Sequence, residues 1–84
     1  MFGTATKTMM EMSPEQCRAA RGLLKMSQER LAKLASVSAA TIMNFENSVR
    51  RNVSPETVQQ IRIALEIAGV MFDGNGGVKL RRRR

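Results

Sequence analysis

With 84 residues, the chain has room for one domain and a small core, which needs well-packed helices or a partner's added area to be stable. Fourteen basic residues against seven acidic ones leave a net charge of +7. That excess favours a polyanionic partner, nucleic acid first and an anionic membrane second. A lone Cys17 and no histidine leave nothing for an internal disulfide or a zinc cluster.

Residues 1–12 (MFGTATKTMMEM) lack caps, helical periodicity and charge pairing, and read as a flexible leader. They hold one lysine and no apolar block of signal-peptide length, so a cytoplasmic protein is expected rather than an exported one. No apolar run approaches the roughly 20 residues of a membrane span. Ser13-Pro14-Glu15-Gln16 then predicts a first helix, with serine as N-cap, proline at the first turn and glutamine three places after the cap. Cys17, Ala20 and Leu24 mark its buried stripe, and it should end near Lys25.

Ser27 to Asn47 (SQERLAKLASVSAATIMNFEN) predicts two short helices. Ser27 caps the first, whose Leu31, Leu34 and Ala35 fall at helical spacing, and Ser38 caps the second, whose Ile42 and Phe45 lie three apart. Arg30 stands where a capping-box glutamate would help. Only Ser36 and Val37 separate the helices, a link so short that they must cross steeply and share one apolar seam.

After a basic loop, Asn47 to Val53, Ser54-Pro55-Glu56 repeats the cap-plus-proline device. Val58, Ile61, Ala64, Leu65 and Ala68 then line one face of a fourth helix that stops at Gly69. Val70–Asp73 and Val78–Leu80 flank Gly74-Asn75-Gly76-Gly77, the pattern of a β-hairpin. An isolated hairpin is marginal in water, so it should pack on the fourth helix or pair with a second chain. Residues 81–84 form a basic tail: residues 49–84 carry eight basic and three acidic groups, and Lys79 with Arg81 to Arg84 supply five of the eight.

The spacing from Gln28 to Phe45 resembles the helix-turn-helix of the Cro/C1-type (XRE-like) regulator family. Counted from Gln28, that motif has a polar residue first, apolar residues fourth and eighth, a small residue fifth, glycine ninth, and apolar residues tenth, fifteenth and eighteenth. The chain supplies Gln28, Leu31, Ala32, Ala35, Ser36, Val37, Ile42 and Phe45, with Ser36 where glycine is usual. A left-handed residue at Ser36 costs about 1 kcal/mol more than glycine would. The likeness runs from about Ser13 to Ala68. It implies an all-α, lambda-repressor-like DNA-binding domain of four to five helices, here over residues 13–69, followed by the short hairpin at 70–80, a candidate dimer contact.

By that resemblance the third helix enters the major groove by its N-terminal end. Ala39, Ala40 and Asn44 would then face base edges, with Ser38 and Thr41 near phosphates. The alanines offer only a methyl-sized apolar contact, such as to thymine, whereas Asn44 suits adenine. Met43 could reach the groove rim or simply face solvent. Gln28 matches the family glutamine that clamps a phosphate, at a helix start that favours one. Arg50 and Arg51 follow the reading helix and would lie along the DNA backbone. Arg21 and Glu46 match an arginine and a glutamate that pair across the family's first and third helices, a structural role. Cys17 reads as a small core residue. The arginine tail is either an electrostatic arm or a solubilising end.

No acid pair or nucleophile with a candidate base supports an enzyme, and Gly74–Gly77 lacks the Lys-Ser/Thr ending of a phosphate loop. No cofactor is expected. Three phenylalanines and no other aromatics argue against a single-strand binder, which needs stacking platforms. The reading is a homodimeric, sequence-specific regulator of double-stranded DNA on a near-palindromic operator. Repression is the default mode, and autoregulation is implied by the resemblance. One alternative is a DNA-binding antitoxin or antagonist holding a protein partner. Another is a purely electrostatic binder of RNA, DNA or anionic lipid through the arginine tail.

Overall fold

The computed structural model describes residues 12–47 and 53–81. Four helices, α1 (Pro14–Leu24), α2 (Gln28–Ala35), α3 (Ala39–Glu46) and α4 (Pro55–Ala68), precede a two-stranded antiparallel hairpin of β1 (Val70–Phe72) and β2 (Val78–Leu80). None of the described helices is long and apolar enough to cross a membrane.

A serine opens each of the four described helices. Ser13, Ser27, Ser38 and Ser54 sit in extended backbone, and each side chain accepts from the N–H three residues on, satisfying a donor that the first turn leaves unpaired. At Ser13 the box is closed: Gln16 N donates to Ser13 Oγ (3.0 Å) and Ser13 N to Gln16 Oε1 (2.9 Å).

α1 and α2 end alike. Lys25 (φ 55°) and Ser36 (φ 61°) adopt the left-handed conformation without being glycine. Met26 N then reaches back to Arg21 O (2.9 Å), and Val37 N to Ala32 O (3.0 Å), the long bond of a Schellman turn. Met26 and Val37 pack on the core beside these turns, the apolar contact that favours such an ending. α4 ends at Gly69, whose φ of 125° suits glycine.

The core lies where the helices meet under the hairpin. Cys17 and Ala20 of α1, Leu31 of α2, Ile42 of α3, and Ile61 and Leu65 of α4 are buried in it. Two expectations need correction. Leu34 does not join the seam of α2: it is 49% exposed, and Ala32 is buried instead. Successive helical residues turn by about 100°, so Leu34 lies that far from Ala35, outside the arc that Leu31, Ala35 and Ala32 share. Met12 belongs to the core, being 4% exposed, so the packed region includes at least one residue before the capping signal at Ser13.

The hairpin packs on both α1 and α4. Val70 pairs with Leu80, Met71 with Lys79 and Phe72 with Val78, which points Val70, Phe72 and Val78 toward the core. Arg81 N donates to Gly69 O (2.7 Å) and extends the ladder. At the turn, Asp73 Oδ1 accepts from Asn75 N (2.9 Å) and Gly77 N (2.8 Å). Gln16 Nε2 of the α1 capping box donates to Gly77 O (3.2 Å), fastening the loop to the start of α1. The guanidinium of Arg62 on α4 stands 5.0 Å from the centre of the Phe72 ring.

Candidate nucleic-acid interface

The short Ser36-Val37 link makes α2 and α3 close neighbours, and Ile42 and Phe45 turn one face of α3 into the core. What remains outside is a narrow face. Ser38, Ala40, Met43 and Asn47 are exposed, while Ala39, Thr41 and Asn44 are partly buried. Ala39 leans against the core. Ser38 Oγ bonds to Thr41 Oγ1 (2.9 Å) and accepts from Thr41 N (3.1 Å), so both hydroxyls sit at the helix start where its backbone donors point outward. Of the candidate base readers, Asn44 alone carries donors and an acceptor. Met43, at 45% exposure, stands out further than either alanine could reach.

The other end of α3 is anchored through one carboxylate. Glu46 is buried, and Arg21 of α1 grips it with both prongs: Nε to Oε2 at 2.8 Å and Nη2 to Oε1 at 2.7 Å. Arg21 also donates from Nη1 to Met26 O (3.0 Å), tying its own helix end into the cluster. Gln28 Nε2 donates to Oε1 (3.0 Å) and the Cys17 thiol to Oε2 (3.1 Å). Arg18 Nη1 bonds the main-chain oxygen of Glu46 and satisfies a carbonyl that the helix end leaves open. A bidentate arginine and two further donors give a buried carboxylate the partners it needs.

Electrostatics follow from that geometry. Burial alone would raise the Glu46 carboxyl, but the hydrogen bonds from Arg21, Cys17 and Gln28 outweigh it and hold the group below its ordinary value. Arg21 is raised by its bonds to Glu46, against the opposing effect of burial. The Cys17 thiol is pushed up by burial and then by the neighbouring Glu46, which keeps it protonated and able to donate.

The structure thus brings Arg21, Glu46 and Gln28 together at the junction of α1, α2 and α3, and sets Ser38, Ala39, Ala40, Thr41 and Asn44 on the first turns of α3. Arg50 and Arg51 lie outside the described residues, as do Arg82 to Arg84. Sequence reasoning missed three participants: Arg18, Cys17 as a donor to Glu46, and Gln28 as its second-helix partner. One signal was available, since Cys17 and Arg18 lie one turn before Arg21 and share its side of α1.

A helix-turn-helix family model matches residues 18–69, which takes in part of α1 and all of α2, α3 and α4. No curated protein matches the chain. The matched segment covers more than half of the sequence and coincides with the helices that carry and anchor the α3 face. The chain therefore belongs to the Cro/C1-type helix-turn-helix family of DNA-binding regulators.

Proposed function

We propose that the protein is a sequence-specific regulator that binds a near-palindromic operator in double-stranded DNA as a homodimer and represses by occupying it. The observation that carries this reading is the exposed face of α3, held in a set orientation by the buried Glu46 cluster. A reading helix needs such an anchor, because base contacts lose their value when the helix can rock. Ala39, Ala40 and Asn44 read base edges. Ser38 and Thr41 meet phosphates at the helix start, joined by Arg50 and Arg51, which follow α3 in sequence. Gln28 meets a phosphate through the part of its amide not committed to Glu46. With one strong polar reader, much of the affinity comes from phosphate contacts and DNA shape. A cytoplasmic protein that gathers on the nucleoid fits this role.

Dimerisation is supported by exposed apolar side chains away from α3. Ile63 and Ile67 lie one turn apart on α4, Leu80 is half exposed, and a groove of about 360 Å³ runs between Leu24, Ile67, Ala68 and Leu80. Apolar surface of this kind marks protein contacts. The same patch supports the second reading, an antagonist that holds a different protein chain.

Selection from random duplex DNA at physiological salt, followed by titration on the winning sequence, tests the proposal. A two-fold-symmetric site with half-sites about 34 Å apart is expected. Absence of any enriched sequence, with binding that collapses as salt is added, would leave only the electrostatic reading.

A further inference from the structure

The hairpin turn holds a reactive pair that DNA recognition does not use. Of the asparagines, Asn44 precedes Phe45, Asn47 precedes Ser48 and Asn52 precedes Val53, whereas Asn75 precedes Gly76. Asn75 and Gly76 are both exposed, and a Cβ placed at Gly76 would meet nothing within 4 Å. Neither the Asn75 carboxamide nor the Gly76 N–H has a hydrogen-bond partner among the described residues. A glycine nitrogen carries no side chain to block its approach to the preceding side chain, and an exposed turn opens at little cost.

We propose that Asn75 is a site of spontaneous deamidation, and that its conversion to isoaspartate unhooks the hairpin from α1. The deprotonated Gly76 nitrogen attacks Asn75 Cγ. A C–N bond forms, the Cγ–Nδ2 bond breaks, and the side-chain nitrogen leaves as ammonia with the proton that Gly76 gave up. Water then opens the five-membered succinimide at either carbonyl, giving aspartate or isoaspartate. Nothing is oxidised or reduced, and water is the sole co-reactant.

The consequence follows from how tightly the turn is held. Asp73 Oδ1 grips both Asn75 N and Gly77 N, and these backbone N–H groups, Gly77 first and then Asn75, hold its carboxyl below the ordinary range. A Cβ at Gly77 would fall 2.6 Å from Asp73 Oδ2, so the carboxylate lies close against Gly77. Isoaspartate adds a methylene to the main chain between these two anchor points and places a second carboxylate beside Asp73. The grip on Gly77 N is lost, and with it the placement of Gly77 O that receives Gln16 Nε2 from the start of α1.

The test uses the full chain, aged in mildly alkaline buffer, where removal of the Gly76 proton is faster. Peptide mass analysis and isoaspartyl methyltransferase labelling locate the change, and amide hydrogen exchange follows the hairpin. Isoaspartate should accumulate in the peptide containing Asn75, with protection lost at Gly77 and across Val78–Leu80. Asn75→Gln, whose longer side chain must close a less favourable ring, should show neither effect. Asn75→Asp, measured before ageing, carries the added charge without the extra methylene and should lose less protection. An intact Asn75 while Asn44 or Asn47 converts would overturn the site. Isoaspartate with unchanged exchange in the hairpin would overturn the unhooking. Neither outcome depends on operator binding, so this inference and the DNA-binding proposal fail separately.

Discussion

Glu46 shows how one residue links the stability of the fold to the placement of α3. It is buried, and its charge is tolerated because Arg21, Gln28 and Cys17 together occupy both oxygens. Removing Arg21 would leave that charge unpaired in the interior. Arg21→Ala should therefore lower unfolding free energy by about 3 kcal/mol in a denaturant titration. A loss close to zero would show the cluster to be dispensable. The pH dependence has a definite sign. The folded carboxyl lies below its unfolded value, so its contribution is complete above the ordinary glutamate range, near pH 4.3. It is lost as pH falls through the lower folded value. Thermal melting of the native chain should drop through that acid range, whereas Glu46→Gln, already destabilised, should show a flatter profile.

Under the proposed reading, the roles of Asn44 on α3 and of Arg50 beyond it divide by chemistry. Asn44→Ala should weaken the preferred operator by about 1–3 kcal/mol and relax choice at one base position. Arg50→Ala should weaken all sequences about equally and flatten the salt slope by about one unit. Competition titrations at two salt concentrations distinguish the two patterns, and an unchanged operator affinity for Asn44→Ala would move the reading face elsewhere, Met43 being the next candidate.

Among the elements, the turn between α2 and α3 is the most constrained. Ser36 adopts φ 61°, where the family motif usually has glycine, and Val37 closes the turn against the core. Relief of left-handed strain is offset in part by the greater freedom of glycine in the unfolded chain. Ser36→Gly should thus stabilise by about 0.5 kcal/mol net, read as a raised melting temperature. Much of the helical layout was legible because its signals are local. A serine cap and, twice, a proline mark the starts, and these depend on neighbours three residues away. The stop at Lys25 carries no glycine, and its left-handed turn is held by Met26 packing below it. Leu34 was misplaced for a related reason: spacing gives a stripe, but the neighbouring helix decides which edge of the stripe is covered.

For the whole molecule, the hairpin completes the core. Val70 is 1% exposed, so removing residues 70–84 would uncover α1 and α4 and confuse unfolding with dissociation. Surface changes give a cleaner test of dimerisation. Ile67 and Leu80 are 77% and 50% exposed, so Ile67→Glu and Leu80→Glu should leave the fold intact by circular dichroism. Light scattering should show monomers, with operator affinity reduced because each half-site is then bound alone. A dimer that survives both changes would place the contact elsewhere.

By itself the sequence determined the helix starts, the tight α2–α3 link, the hairpin and the resemblance that points to DNA. All of these rest on hydrogen bonds and periodicities that span a few residues. Only the tertiary structure decided how Gln28 is used and why Cys17 and Arg18 matter, since their partner Glu46 lies 18 to 29 residues away. It also decided that Met12 is core and that Gln16, besides capping α1, holds a loop 61 residues on. Contacts between distant segments depend on how the elements cross, and that is settled when their apolar faces pack together.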